Sequence, residues 1–280
     1  MALSHVLFDD IIDRALAEDL AAGDVTTEST IADGTVSEAF AVARGEIVVC
    51  GGDVFARVFK RLDPTIVVDL LVPDGSSSQK GTRLWRLHGD ARAILMGERT
   101  ALNLTQRMCG IATVAKTYVA ALPPGSKTRI TDTRKTMPGL RVLDRYAVRT
   151  GGAKNHRNDL ASAVLIKDNH VAACGGVREA ITRARARAPH TSKIECEVDS
   201  LAQLEIALDA GADVVLLDNM PSDVVREAVR ITRGRAFLEA SGGITLERVR
   251  ELAEIGVDAI SVGALTHSVK AADIGLDFVG

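Results

Sequence analysis

The run SLAQLEIALDAGADVVLLDN, residues 200–219, holds a helix and a strand. Leu201, Leu204 and Leu208 fall on one helical face, the spacing of a helix lying on a core. Ser200 with Gln203 three residues on reads as a capping box, and Gly211 stands where the helix should stop. The remainder, ADVVLLDN, is a short apolar run of the type buried in a parallel sheet. Downstream the pattern repeats. RAFLEASGG (235–243) and DAISVGAL (258–265) read as strands, SDVVREAVRITRG (222–234) and TLERVRELAEIG (245–256) as helices ending on glycine. Each unit takes about 22 residues, which suits a βα repeat.

Upstream, SKIECEVD, SAVLIKDN and KTRITDTRK add three strands, so at least six lie between Thr128 and Leu265. A doubly wound sheet and a (β/α) barrel both fit this alternation. The polar residues favour the barrel. Arg134, Lys135, Lys167, Glu197, Asp218, Ser241 and Gly263 all lie at or just past the C-terminal end of their own strand. Barrels build sites at that rim from several strands, whereas an open sheet gathers ligand groups near one switch point.

The first hundred residues differ. FAVARGEIVVCGG (40–52) and TIVVDLLVPDGSSSQKGTRLWRL (65–87), with their Pro-Asp-Gly and Lys-Gly turns, predict an antiparallel sheet flanked by helices at residues 9–20 and 52–61. A long helical pattern runs from about Asp90 to Leu122, with Gly97 and Gly110 as candidate breaks. We expect two domains, residues 1–109 and 110–270, with the tail 271–280 returning to the first.

Composition excludes several classes. Aromatics at 3% and a net charge of -3 argue against a nucleic-acid binder. The four cysteines form no C-x-x-C pair, so reduced thiols in a cytoplasmic protein are the default. The N-terminus has acids inside its apolar stretch and reads as an amphipathic helix, and no segment has the apolar length of a membrane span.

Against that acidic balance, residues 131–170 gather Arg134, Lys135, Arg141, His156, Arg157 and Lys167. A solvated face is the ordinary reading of such a cluster. Positions after inward strands point instead to convergence on an anion, because buried like charges repel unless something negative joins them. Glu197 and Asp218 end consecutive strands; they either cap helices or hold sugar hydroxyls or a substrate's Mg²⁺. The loops at Ser241-Gly242-Gly243 and Gly263-Ala264 suit backbone contact with phosphate. Nothing local fixes where Glu239 faces, and His170 and His267 read as hydrogen-bonding neighbours. No zinc motif, phosphate loop or nucleophile elbow is present.

AGDVTTEST (22–30), ERTALNLTQRMCGIAT, DTRKTMPGLR, YAVRTGGAKNHRNDL, LIKDNH, EVD, LLDN, EASGGI and ISVGALTHS (260–268), in this order, resemble the quinolinate phosphoribosyltransferases. The resemblance implies an N-terminal α/β open-faced sandwich domain and a C-terminal incomplete barrel of about six to seven parallel strands. It implies transfer of phosphoribose from phosphoribosyl pyrophosphate to quinolinate with Mg²⁺, releasing pyrophosphate and CO₂ and giving nicotinate mononucleotide, a step of NAD biosynthesis. By the same resemblance Arg134, His156, Arg157 and Lys167 line the quinolinate carboxylate pocket, joined by Arg99 from the partner of a homodimer. Lys135 and Lys167 with Glu197 and Asp218 form the catalytic set, the two acids also taking Mg²⁺ through substrate or water. Ser241, Gly242, Gly243, Gly263 and Ala264 hold phosphate. The alternatives are a paralogue using nicotinate or another small anion, and a non-catalytic barrel that binds a phosphorylated metabolite. The latter keeps the glycine loops but has no need of Arg99, Arg134, His156, Arg157 and Lys167 together.

Overall fold

The computed structural model describes residues 3–279; Met1 and Ala2 of the N-terminal stretch and Gly280 of the tail lie outside them. In chain order the elements begin α1 (Asp9–Asp19), α2 (Val25–Thr30), β1 (Val36–Ala43), β2 (Ile47–Val48), α3 (Gly52–Leu62), β3 (Val67–Leu70), β4 (Ser77–Ser78), β5 (Arg83–Asp90) and α4 (Ala91–Ala120). They continue β6 (Arg129–Thr131), α5 (Arg141–Thr150), β7 (Val164–Ile166), α6 (Asp168–Cys174), α7 (Val177–Arg187), β8 (Ile194–Val198), α8 (Leu201–Asp209) and β9 (Val214–Asp218). The last are α9 (Ser222–Thr232), β10 (Phe237–Ser241), α10 (Leu246–Ile255), β11 (Ala259–Ser261), α11 (Ala264–His267) and β12 (Ile274–Phe278). No helix among the described residues is long and apolar enough to cross a membrane.

Contacts divide the chain into two units. One runs to Lys116 and adds Thr136–Gly152 and the chain from Ala264; the other is Thr117–Lys135 with Ala153–Gly263. The sequence reading put a boundary at 109/110 and returned the tail 271–280 to the first domain; this division also takes residues 110–116, α5 and the chain from Ala264 into the first unit. A linear reading has no means of registering such long-range packing.

The first unit is built on an antiparallel sheet of order β12-β1-β5-β3, so the tail pairs with β1. The expected single sheet is in fact two, since β2 pairs with β4 in a separate ribbon. Trp85 of β5 is fully buried and lies 4.5 Å from the ring of Phe55 on α3. Helix α4 runs unbroken through Gly97 and Gly110. These glycines permit close approach: a Cβ at Gly97 would stand 2.9 Å from the Phe59 ring, and one at Gly110 2.4 Å from the Lys270 carbonyl oxygen. Packing thus accounts for residues that propensity alone would assign to helix ends.

The second unit carries six parallel strands in the order β6-β11-β10-β9-β8-β7. That order follows the chain from β7 to β11 and then returns to β6, as a sheet curling toward closure does; no switch point interrupts it. Closure stops between β6 and β7. There Lys154 makes a parallel bridge to Thr131, its N–H donating to the Ile130 carbonyl and its carbonyl accepting from Asp132. The result is an incomplete barrel. Helix α8 ends as expected, with Gly211 at φ +79 and Schellman bonds from Ala212 to Ala207 and from Gly211 to Leu208. Its start differs. Ser200 makes no side-chain cap, and the Gln203 side chain instead accepts from the N–H of Asp199, one residue earlier.

Candidate active site

Strand parity decides which side chains enter the barrel. On β8 the apolar Ile194, Cys196 and Val198 alternate with Glu195 and Glu197; on β10 Leu238 and Ala240 alternate with Phe237, Glu239 and Ser241. Register aligns Glu197 with Leu216 and Leu216 with Glu239, and sets Asp218 beside Ser241. Since Glu195 and Glu239 both approach His156, this parity is the inward one. The interior is therefore layered. Arg129 stacks 5.9 Å over Phe237 below, Glu195 and Glu239 lie in the middle, and Glu197, Asp218 and Ser241 stand at the C-terminal rim.

At the rim, Lys167 Nζ lies 2.9 Å from Glu197 Oε2. Asp218 accepts from the Asn219 side chain at 2.9 Å. Glu197 and Asp218 are thus engaged at the strand ends in place of capping the helices that follow. Two carboxylates on adjacent strands form an oxygen donor set that suits a hard cation keeping part of its water. His170 accepts the Lys167 N–H at 3.0 Å, the neighbourly role expected of it.

Residues from two loops meet beside β6. The buried carboxylate of Asp132 accepts the His156 N–H and the Asn155 side chain, both at 2.6 Å. This strap brings Arg157 to Arg134: burial and then the nearby Arg134 charge lower the pKa of Arg157. Arg134 Nε is buried without a hydrogen-bond partner. Two guanidinium groups in one place, one with an unsatisfied N–H, form a receptor for a carboxylate. Lys135 follows them on the exposed side of the same segment.

His156 was expected to line the carboxylate pocket, yet both its ring nitrogens are occupied within the protein. Nδ1 accepts the Arg157 N–H at 2.8 Å, and Nε2 lies 3.2 Å from Glu195 and 3.5 Å from Glu239. Burial opposes a charge on the ring, but the Glu195 hydrogen bond and the charges of Glu239, Glu195 and Asp132 outweigh it and raise its pKa. Burial, then the Glu195 charge, lifts the Glu239 carboxyl to about 7. Sequence reasoning missed Glu195 and left Glu239 open. The signal was available, because counting back two residues from Glu197 and from Ser241 lands on them.

The loops after β9 and β10 are stitched together. Asn219, itself at φ +53, donates its N–H to the Ser241 carbonyl at 3.0 Å. Gly242 has φ +90, and a Cβ there would fall 2.1 Å from the Asn219 side-chain oxygen, so only glycine fits. Arg248, which the sequence did not single out, donates to the carbonyls of Gly242 and Met220. With these carbonyls held from the protein side, the turn at Ser241–Gly243 is preorganised at the start of α10. Gly263 lies just past β11 and Ala264 opens α11, in the first unit; Arg99 lies on α4, in the same unit.

Two family models match the chain: the N-terminal domain of quinolinate phosphoribosyl transferase over residues 24–109, and its C-terminal domain over residues 111–277. A nicotinate-nucleotide pyrophosphorylase [carboxylating] of Mycobacterium leprae is 47% identical over 287 residues, covering 98% of this chain and 99% of that protein. A probable enzyme of the same name from Bacillus subtilis is 43% identical, covering 98% and 94%. Among solved structures, NadC from Streptococcus pyogenes superposes with a TM-score of 0.95 at 36% identity over the whole of both chains. The nicotinate-nucleotide pyrophosphorylase of Francisella tularensis gives 0.94 at 38%, covering 99% and 98%.

Proposed function

The chain belongs to the quinolinate phosphoribosyltransferase family, and from that membership we propose how its barrel rim performs the reaction. It is a decarboxylating phosphoribosyltransferase of NAD biosynthesis, joining quinolinate to the phosphoribosyl group of phosphoribosyl pyrophosphate. The observation that carries the site assignment is the Arg134–Arg157 pair with its unpartnered buried Nε–H. Quinolinate is a pyridine bearing two adjacent carboxylates, so its recognition calls for several fixed cations. Arg134 and Arg157 grip one carboxylate and Lys167 the other, with Arg99 of the partner in a homodimer completing the pocket.

The ring nitrogen attacks the anomeric carbon while the bond to pyrophosphate breaks. Positive charge develops on the ribose, and Glu197 and Asp218 stabilise it. Glu197 and Asp218 would hold Mg²⁺ through substrate oxygens or water, and the ion would supply positive charge opposite the pyrophosphate. The Ser241–Gly243 turn and the Gly263–Ala264 segment bind phosphate through their N–H groups, and Lys135 lies toward the same substrate. After transfer the pyridine nitrogen is cationic. The adjacent carboxylate then leaves as CO₂, its electron pair remaining on the ring carbon beside that charge, and one proton replaces it. The residues accelerate these steps only where they hold the later states more tightly than the substrates.

Purified protein with quinolinate, phosphoribosyl pyrophosphate and Mg²⁺ should form nicotinate mononucleotide, and nicotinate in place of quinolinate should be a far poorer acceptor. Arg134→Ala should lower kcat/KM for quinolinate by about a hundredfold or more while the protein stays folded. Comparable use of both acceptors, or near-normal kinetics in folded Arg134→Ala, would sink the dicarboxylate assignment.

A further inference from the structure

Three groups in the barrel centre take no part in the steps above: the buried Glu195 and Glu239 and the half-buried His156. Burial penalises carboxylate charge and their mutual proximity adds to it, so their presence needs a physical reason. Their donor atoms lie within 4.8 Å of one another, the composition of a metal site. Tautomer chemistry argues otherwise. The Arg157 N–H points at Nδ1, which must carry the lone pair, so the proton of the neutral ring sits on Nε2. A metal on Nε2 would force that proton onto the nitrogen already facing a donor.

The arrangement makes sense as a support. Nε2–H is directed at Glu195, 3.2 Å away, with the Glu239 carboxyl facing it at 3.5 Å as a neighbouring charge, which orients the ring; Nδ1 then receives the main-chain N–H of Arg157, while Asp132 holds the main chain of His156 from the β6 side. The Arg157 guanidinium leaves this fixed point and is steadied by the Ala163 carbonyl at 3.1 Å. We propose that Glu195 and Glu239 are positioning residues for the acceptor: acting through His156, they fix the backbone at Arg157 and aim its guanidinium, with Arg134, at the dicarboxylate. This rests on the quinolinate reading of the pocket.

The charge of the cluster adds a pH dependence. Glu239 is faced by Glu195 on β8, by Ser261 on β11, by His156 and Asp132 from the β6 side, and by the apolar Leu216 on β9. Its carboxyl titrates at about 7. Above that pH Glu239 carries a negative charge near a dianion, and acceptor affinity falls; below it Glu239 is neutral.

The test measures KM for each substrate, and quinolinate binding by calorimetry, from about pH 6 to about pH 8.5. Glu239→Ala should raise KM for quinolinate about tenfold or more and leave KM for phosphoribosyl pyrophosphate within about twofold. Glu239→Gln, which keeps a polar side chain of the same size facing Nε2 and has no charge, should restore the quinolinate KM and abolish the loss of affinity that wild type shows above neutrality. Equal changes in both KM values, or a Gln variant that keeps the wild-type pH profile, would overturn the proposal. Should Glu239→Ala fail to fold, the Gln profile decides alone. Turnover reports on the reaction and calorimetric binding on the positioning, so the two readings fail separately.

Discussion

Removing the carboxylate of Asp144 should destabilise the first unit more than most single substitutions. Asp144 is fully buried and takes a bidentate pair of bonds from Arg107 on α4, both 2.8 Å, the guanidinium being itself only 18% exposed. Its Oδ2 also accepts the Met137 N–H at 3.2 Å. Asp144→Ala leaves that N–H without its acceptor and strands a buried cation whose remaining hydrogen bond of note is to the Thr266 carbonyl, at 3.1 Å. Breaking a buried pair from one side costs about 3–5 kcal/mol, because the surviving charge stays desolvated. Replacing both partners by apolar residues of similar volume, Arg107→Met with Asp144→Leu, should recover most of that loss. The assay is urea unfolding followed by the fluorescence of Trp85, the chain's single tryptophan, buried in the same unit. A midpoint shift at constant m-value gives the energy. A loss under about 1 kcal/mol for Asp144→Ala, or a double variant as unstable as the two singles summed, would refute the reasoning.

Two further outcomes follow from close contacts. Gly110→Ala should lower the melting temperature, since the steric cost of a Cβ 2.4 Å from the Lys270 carbonyl, about 1–3 kcal/mol, exceeds the helix-propensity gain of about 1 kcal/mol; a rise would mean that the tail shifts freely. Arg248→Ala releases the Gly242 and Met220 carbonyls, and KM for phosphoribosyl pyrophosphate should rise about tenfold with KM for quinolinate unchanged. Equal effects on both substrates would mean that Arg248 merely supports the barrel.

How much of this was legible in the chain depended on whether a signal was local. The six parallel strands were legible because each is an apolar run closed by a turn, and the rim residues followed from their places at strand ends. Gly97 and Gly110 misled for the opposite reason. Their role is set by Phe59 and Lys270, partners 38 and 160 positions away in the chain. The same distance hid Arg248, an ordinary charged residue in a helical pattern until its carbonyl partners are known. Glu195 was legible in principle, since the alternation IECEV puts both acids on one face. A run read as buried on both faces conceals that a charge points inward. His156 joined the cation cluster in the sequence through its neighbour Arg157, but which of its nitrogens meets what is a matter of ångströms that spacing does not encode.

The seam where the barrel stays open has a consequence for how such an enzyme can change. A strand edge left bare invites pairing with another molecule, and here Lys154 covers that of β6. Two residues later the same segment becomes the loop that presents His156 and Arg157. The base of the loop is therefore both a guard against aggregation and the root of acceptor recognition. Insertions or exchanges there answer to solubility as well as to catalysis. The outer stretch, residues 158–163, carries no such double duty along most of its length. Selection for a new acceptor should accumulate its changes there first, with the hinge residues at 153–155 the last to move.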